Sequence, residues 1–406
     1  MKLWVLLLLS FGHFITDIHQ GAVPLLLPYI KETFDLSYFA LGAVMLVANL
    51  SSSIIQPLFG LYSDRVNIPW LLPAGVLLAA AGVALVGVMP SYPLVLLAVF
   101  MSGIGIAAFH PEASKMAHFA AGNKKGSAMS IFSVGGNLGF GTGPLIGAVY
   151  LGMWGFGGSV AFIGPGLVMA IVLYSLLPKI MATTSATRDQ WQEQRIQTSK
   201  AGGGRLIWSW GLLLLMAVVI VRSFIHFGMT SFLQFYYIDY LNGDPLFASR
   251  LVAVFLICGA FGTLLGGPIA DKVGVKKQIC GSMGLMIPIL YLFLNSSGFV
   301  SVILVGLAGA TLISTFATTV VMGQQYMPNN IGLASGLMLG FAIGAGGIGV
   351  PILGVVADHF GLATVMTVIS LLPILGVSLA LFLPAPPEVS KIEGKKVVVP
   401  VQKAEV

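Results

Sequence analysis

Charged side chains are scarce in this sequence: Asp, Glu, Lys and Arg make up 8% of its 406 residues, against 57% hydrophobic. Mean hydropathy is +0.96. Water-soluble domains carry about 25% charged residues, so a soluble enzyme or binding module is excluded. Cysteine is nearly absent as well. Cys258 and Cys280 fall in different predicted helices, and two cysteines make neither a disulfide framework nor a metal motif. A nucleophile motif, a phosphate loop and metalloprotease spacing are also lacking. No cofactor or resident metal is expected.

Long apolar runs fill the chain instead. A helix needs about 20 apolar residues to span a bilayer, and a spanning backbone must satisfy its own hydrogen bonds, which favours helices. Spans are predicted near 4–30, 38–61, 70–88, 93–117, 126–151 and 157–178, then near 207–238, 247–270, 277–295, 299–325, 332–357 and 362–383. The fold class is an all-α membrane protein, with the lipid bilayer as its first partner. Met1-Lys2 followed by Leu6 to Leu9 begins like a signal peptide. No small-residue cleavage site follows and the run continues through His13 and Asp17, so it is read as the first span.

Basic residues close to a helix end resist crossing the membrane. With both termini cytoplasmic, all but three of the 20 Lys and Arg lie on the inner side: Lys31 and Arg250 lie outside, and Arg222 lies within a span. The pI of about 9.2 therefore reflects orientation, and no nucleic-acid partner is expected.

The two halves repeat. A shift of 207 residues, the difference between Gly60 and Gly267, also aligns Asp64 with Asp271, Gly139 with Gly346, Pro144 with Pro351 and Gly147 with Gly354. Transporters are commonly built from such halves. Residues 1–178 and 207–383 are read as two pseudo-symmetric six-helix bundles. Between them, 179–206 is a polar cytoplasmic linker ending in Gly202-Gly203-Gly204. Residues 384–406 have too little apolar content to span and are read as disordered.

After the second span the chain reads Gly60-Leu61-Tyr62-Ser63-Asp64-Arg65, and after the eighth Gly267-Pro268-Ile269-Ala270-Asp271-Lys272. An aspartate at a helix end can accept hydrogen bonds from the N-terminus of a neighbouring helix. These loops resemble the loop signature of the major facilitator superfamily, whose fold of twelve helices in two bundles is the expectation here. Gly60, Asp64, Arg65, Asp271 and Lys272 would then serve in gating. The first copy departs after Arg65, where Asn67, Ile68 and Pro69 replace the glycine and basic pair. Gly139-x-x-x-Gly143-Pro144-x-x-Gly147, in the fifth span, is similar to the superfamily's antiporter signature, with Ser130 and Ala148 in place of glycines. Plain close packing of small residues reads equally well.

Polar residues inside the spans carry a narrower resemblance: His13-x-x-x-Asp17-x-x-Gln20, Phe109-His110-Pro111-Glu112, Gly135-Gly136-Asn137, and Gly340-Phe341-Ala342 through Asp358-His359. Over nearly the whole chain this resembles the bacterial fosmidomycin resistance protein family of proton-coupled efflux transporters. The resemblance implies a monomer in the bacterial cytoplasmic membrane. It implies export of a small molecule in exchange for protons, with anionic phosphonates such as fosmidomycin as substrates.

An ionisable group at the bilayer centre costs about 2.5–3.5 kcal/mol on insertion scales, so it marks a cavity or a partner. Asp17 and His13, one helical turn apart, could share a proton, and His110 and Glu112 are further candidates for proton coupling. Glu112 and Lys115 equally suit a helix-end ion pair. Arg222 should lie at the depth of Asp17 in the seventh span, because the repeat places Asp17 opposite Phe224. It is expected to pair with Asp17 in the empty site and with an anionic substrate in the loaded one, since its planar fork holds oxyanions bidentately. A static ion pair is the competing reading. His19 and His226, related by the same shift, are candidate cavity residues or packing histidines. Asn49, Gln56, Asn137, Gln234, Gln324 and Gln325 could bond substrate or bridge helices. Transport of a divalent metal by His13, Asp17, His19, His110, Glu112 and His226 is an alternative that Arg222 would oppose. A membrane enzyme using His13 and Asp17 as acid and base has no supporting motif.

Overall fold

The structure is a computed structural model that describes residues 1–36, 38–198, 209–241, 245–385, 389–392 and 395–398. The apolar runs form helices, as a backbone in lipid requires. In the first half these are α1 (Leu3–Phe34), α2 (Tyr38–Ser53), α3 (Gln56–Arg65), α4 (Leu71–Val86), α5 (Tyr92–Ala120), α6 (Lys125–Trp154) and α7 (Ile163–Thr198). The second half has α8 (Trp210–Phe235), α9 (Pro245–Val273), α10 (Val275–Leu294), α11 (Gly298–Ile313), α12 (Thr315–Tyr326), α13 (Ile331–Phe360) and α14 (Leu362–Leu381).

Two crossings are broken. Pro57, at the start of α3, has no backbone donor and interrupts the second span. In the tenth, Ser314 and Thr315 bond back to Thr311 and Leu312 carbonyls, which bends a helix. Among the described residues ten helical stretches are long and apolar enough to cross a membrane; one, Lys125–Gln197, covers both α6 and α7, and Leu71–Val86 adds a shorter apolar helix. The twelve expected spans are thus accounted for.

Packing repeats between the halves. α1 lies on α6 as α8 lies on α13, α2 on α5 as α9 on α11, and α4 on α7 as α10 on α14. The α6 stripe makes the first contact: Gly135, Gly139 and Gly143 lie against the backbone oxygens of Ser10, Phe14 and Ile18, where a β-carbon would collide. Gly147 faces Leu25 and Phe162 side chains instead. Pro144 sits inside α6.

The bundles meet through α3 with α13 and α6 with α9. A β-carbon at Gly60 would overlap the Gly332 carbonyl, and one at Gly126 would lie 2.6 Å from the Gly267 oxygen. Two carboxylates fasten these contacts. Asp64 accepts from Gly332 and Leu333 amides at 2.9 Å each, capping α13. Asp271 accepts from Gly126 and Ser127 amides at 2.8 and 2.9 Å and from the Ser127 hydroxyl, capping α6. Helix N-termini carry unpaired amides and partial positive charge, so each carboxylate meets both needs. The departures after Arg65 leave the first clamp intact. These contacts lie on the side of the molecule that carries Met1 and the end of α14, called the terminal side below.

The linker is helical over its first part, because α7 continues through the polar residues to Thr198. The Trp191 indole donates to the Pro328 carbonyl at 2.6 Å and pins this extension to the second bundle. Gly202-Gly203-Gly204 lies outside the described residues. Beyond Pro384, where disorder is expected, Val389–Ile392 and Lys395–Val398 form a two-stranded antiparallel pair, β1 and β2. Valine and isoleucine in this stretch favour strand.

Removing a clamp should open the terminal side. Asp271→Ala removes the cap from α6, costing the closed form about 0.5–2 kcal/mol, or roughly tenfold in population per 1.4 kcal/mol. Spin labels at Asn123 and Lys277, in a Cys258→Ser, Cys280→Ser background, should report a longer distance population in this variant. An unchanged distribution would show that the clamp does not hold the side closed.

Candidate functional site

On α1, His13 and Asp17 follow one another at a one-turn spacing, and helix α5 brings His110 to the same carboxylate. His13 Nε2 lies 3.2 Å from Asp17 Oδ2, and His110 Nε2 lies 2.9 Å from Asp17 Oδ1. The His13 ring stacks on Phe132 at 4.3 Å between centroids and meets the His110 ring edge-on at 4.7 Å. All three residues are buried. Gly136 of α6 closes over them: a β-carbon there would strike His13 Nε2 and come within 2.7 Å of Asp17 Oδ2.

The hydrogen bonds assign the protons. His13 Nδ1 lies 2.9 Å from the Phe132 carbonyl oxygen, which only accepts, so Nδ1 carries a hydrogen. Its Nε2 then faces the Asp17 carboxyl at 3.2 Å. His110 differs. Gln56 Nε2 lies 3.4 Å from its Nδ1 and donates to it, leaving Nε2–H to donate to Asp17.

Asp17 also borders a cavity of about 460 Å³ between the bundles. Gln20, Asn49, Asn137, Arg222, Ser223 and His226 supply its other polar side chains, set among apolar residues such as Phe140, Phe227 and Phe316. Arg222 and Asp17 thus face one cavity, as the repeat implies, but the expected ion pair is not made in this structure. Both Asp17 oxygens are taken by histidines. Arg222 donates from Nη1 to Thr319 Oγ1 at 3.3 Å, and its guanidinium lies 4.8 Å from the Phe316 ring centroid. Among the described residues no carboxylate lies within ion-pair distance of it. Asn137 donates to Thr263 of α9 at 3.1 Å, joining the bundles at cavity level. The His226 ring packs against Phe227 and Phe255.

Other candidates lie elsewhere. His19 is turned from the cavity and its Nε2 meets the Phe162 carbonyl at 3.0 Å. Glu112 is buried 2.8 Å from Lys115 Nζ, an ion pair without hydrogen-bond alignment, while Lys115 donates to Ser63 beside the Asp64 clamp. Gln324 bonds His118, Ser114 and Ser335 across the terminal side. Gln234 is half-buried near the end of α8, away from the cavity lining. Arg65 borders a second pocket on the terminal side, and Lys272 is exposed. Thr319 and Phe316, which hold Arg222, had no signal in the sequence beyond lying in an apolar span.

Among the described residues, the set suited by donor type to a divalent ion is His13, Asp17 and His110, whose ligand atoms lie within 4.8 Å of one another. Of the six ligands in the metal alternative, the structure gathers these three. His226 shares the cavity with Arg222, whose charge opposes a cation.

A sequence model of the Major Facilitator Superfamily matches residues 9–249 and 229–405. The fosmidomycin resistance protein of Escherichia coli K12 is 32% identical over 382 residues, covering 93% of this chain and 91% of that protein. An uncharacterized major-facilitator-type transporter of Bacillus subtilis 168 is 33% identical, covering 94% and 93%. Among solved structures, the Escherichia coli fucose:proton symporter superposes with a TM-score of 0.71 at 15% identity, covering 93% of this chain and 98% of that one. A proton:xylose symporter does so with a TM-score of 0.69 at 16% identity, covering 94% and 95%. These two likenesses concern the fold. The chain belongs to the major facilitator superfamily, as a transporter similar to the fosmidomycin resistance protein.

Proposed function

We propose that the protein exports a small organic anion from the bacterial cytoplasm in exchange for protons, by alternating access. The observation that carries this reading is the buried His13–Asp17–His110 triad on one wall of a cavity whose other wall bears Arg222. The basic-residue distribution supports a cytoplasmic terminal side. With that side clamped, the cavity serves the outer face, where an exporter has released substrate and taken up its proton. The resistance named for the Escherichia coli relative supports export and makes a phosphonate the first substrate to try. We take the working unit to be a monomer.

Exchange requires proton and substrate to exclude one another, and charge alone does not give that. A protonated triad near Arg222 attracts an anion more strongly than an unprotonated one. Exclusion follows if the substrate also donates a hydrogen bond to Asp17, occupying the oxygen that His13 otherwise faces. The fitting substrate has an oxyanion for Arg222 and a hydroxyl or N–H toward Asp17. The charge argument favours a second reading, proton symport of the anion.

Proteoliposomes under an imposed proton gradient, loaded with labelled fosmidomycin, separate these readings. Substrate moving against the proton flow is expected. Asp17→Asn should lose drive by the gradient, and Arg222→Gln should lower kcat/KM at least tenfold, about 1.4 kcal/mol. Substrate moving with the protons would establish symport instead, and no phosphonate movement under any gradient would sink the substrate assignment.

Gly136→Ala inserts a methyl group into the triad and should cut gradient-driven transport by roughly tenfold or more, a barrier of about 1.4 kcal/mol. Gly281→Ala on α10, where a β-carbon meets nothing within 4 Å, should leave it unchanged. Equal rates in both variants would remove the triad from the coupling step.

A further inference from the structure

A second pocket, about 430 Å³, opens on the terminal side between the end of α3 and the polar extension of α7. Arg65, Lys115, Arg188 and Arg195 line it, with Asp64 as its one carboxylate. Both oxygens of Asp64 are engaged by the α13 amides, so its hydrogen-bonding capacity toward the pocket is largely used. Lys115 is buried and held by Ser63 and Glu112. It contributes positive potential rather than free donors.

The arginines are otherwise placed. Arg188 reaches only an exposed carboxylate, Asp189, at 3.6 Å, and the weak acceptor Met181 Sδ at 3.3 Å. Arg195 lies over the Trp191 ring at 5.4 Å. Most of their N–H donors thus have no oxygen acceptor among the described residues. The extension that carries them is anchored: Trp191 bonds the Pro328 carbonyl and packs on Phe119. The basic wall is therefore preformed, while Val66, Met116, Phe119 and Ile196 give the lining an apolar part beside the polar Ser63, Asn67 and Gln192.

We propose that this pocket binds a phosphoryl oxyanion attached to an organic group, held by Arg65, Arg188 and Arg195. Planar guanidinium forks match phosphoryl oxygens bidentately, and the apolar wall takes the organic part. The occupant is either a soluble phosphate ester or the headgroup of an anionic phospholipid, which share this chemistry. Because Asp64 forms part of the wall, an occupant that ties α3 to α7 stabilises the clamped form. This inference is independent of what the central cavity carries.

Thermal unfolding of the full-length, delipidated protein in neutral detergent tests it, with glycerol phosphate as the soluble probe. Nanodiscs of phosphatidylcholine with and without phosphatidylglycerol supply the lipid arm. A saturable rise in midpoint with either probe is expected, with at least tenfold weaker apparent affinity in Arg188→Gln/Arg195→Gln. Arg250→Gln, outside the pocket, should bind like the unaltered protein. A response to glycerol phosphate identifies a soluble ester, and one to phosphatidylglycerol alone identifies a headgroup. No response to either, the same rise with matched chloride, or an unchanged response in the double variant would overturn the proposal.

Discussion

The cavity of this transporter depends on two carboxylates that lie well away from it. Asp64 and Asp271 each take two amides at a helix start in the opposite bundle, and these bonds form only when the bundles touch on the terminal side. The touch in turn requires glycine at Gly60 and Gly126, since a β-carbon at either would meet backbone of the partner helix. A capped helix end stabilises by about 1 kcal/mol in ordinary settings, so the closure is firm without being irreversible. That suits a joint which must open during transport.

Within the cavity, each bundle satisfies its own charge. Asp17 is held by histidines from α1 and α5, and Arg222 by Thr319 and Phe316 from the second bundle. A direct ion pair across the cavity would have tied the halves together and would have to break whenever they part. The observed arrangement avoids that cost. Among the described residues it leaves Arg222 with a single hydroxyl acceptor, which on the proposed reading suits a cation that receives and releases an oxyanion.

The sequence made legible what spacing determines. Apolar run length gave the spans, the repeat gave the paired Asp64 and Asp271, and a four-residue interval put His13 beside Asp17. Relations between helices were less readable, because they depend on how each helix is rotated about its axis. His110 and Glu112, two residues apart, point to different places: one to Asp17, the other to Lys115. His19 carries the same residue type as the cavity's His226 but faces Phe162. Gln324 reads as a candidate substrate ligand and proves to be part of the terminal closure. Polarity inside a span announces that a partner exists without saying on which side it stands.

The repeat itself shows where the two halves have diverged. The shift that aligns Asp64 with Asp271 places Ile220, Phe224 and Ala317 opposite His13, Asp17 and His110, and Ile15 opposite Arg222. One bundle therefore holds the titratable cluster and the other the fixed charge, on scaffolds that are otherwise packed alike. On the proposed reading, a proton event in the first bundle reaches the second through whatever occupies the space between Asp17 and Arg222, since the two groups do not bond directly. The substrate itself is the natural bridge. On the proposed reading, coupling is then a property of the loaded cavity, and substrates too short to touch both walls should bind without being driven by the gradient.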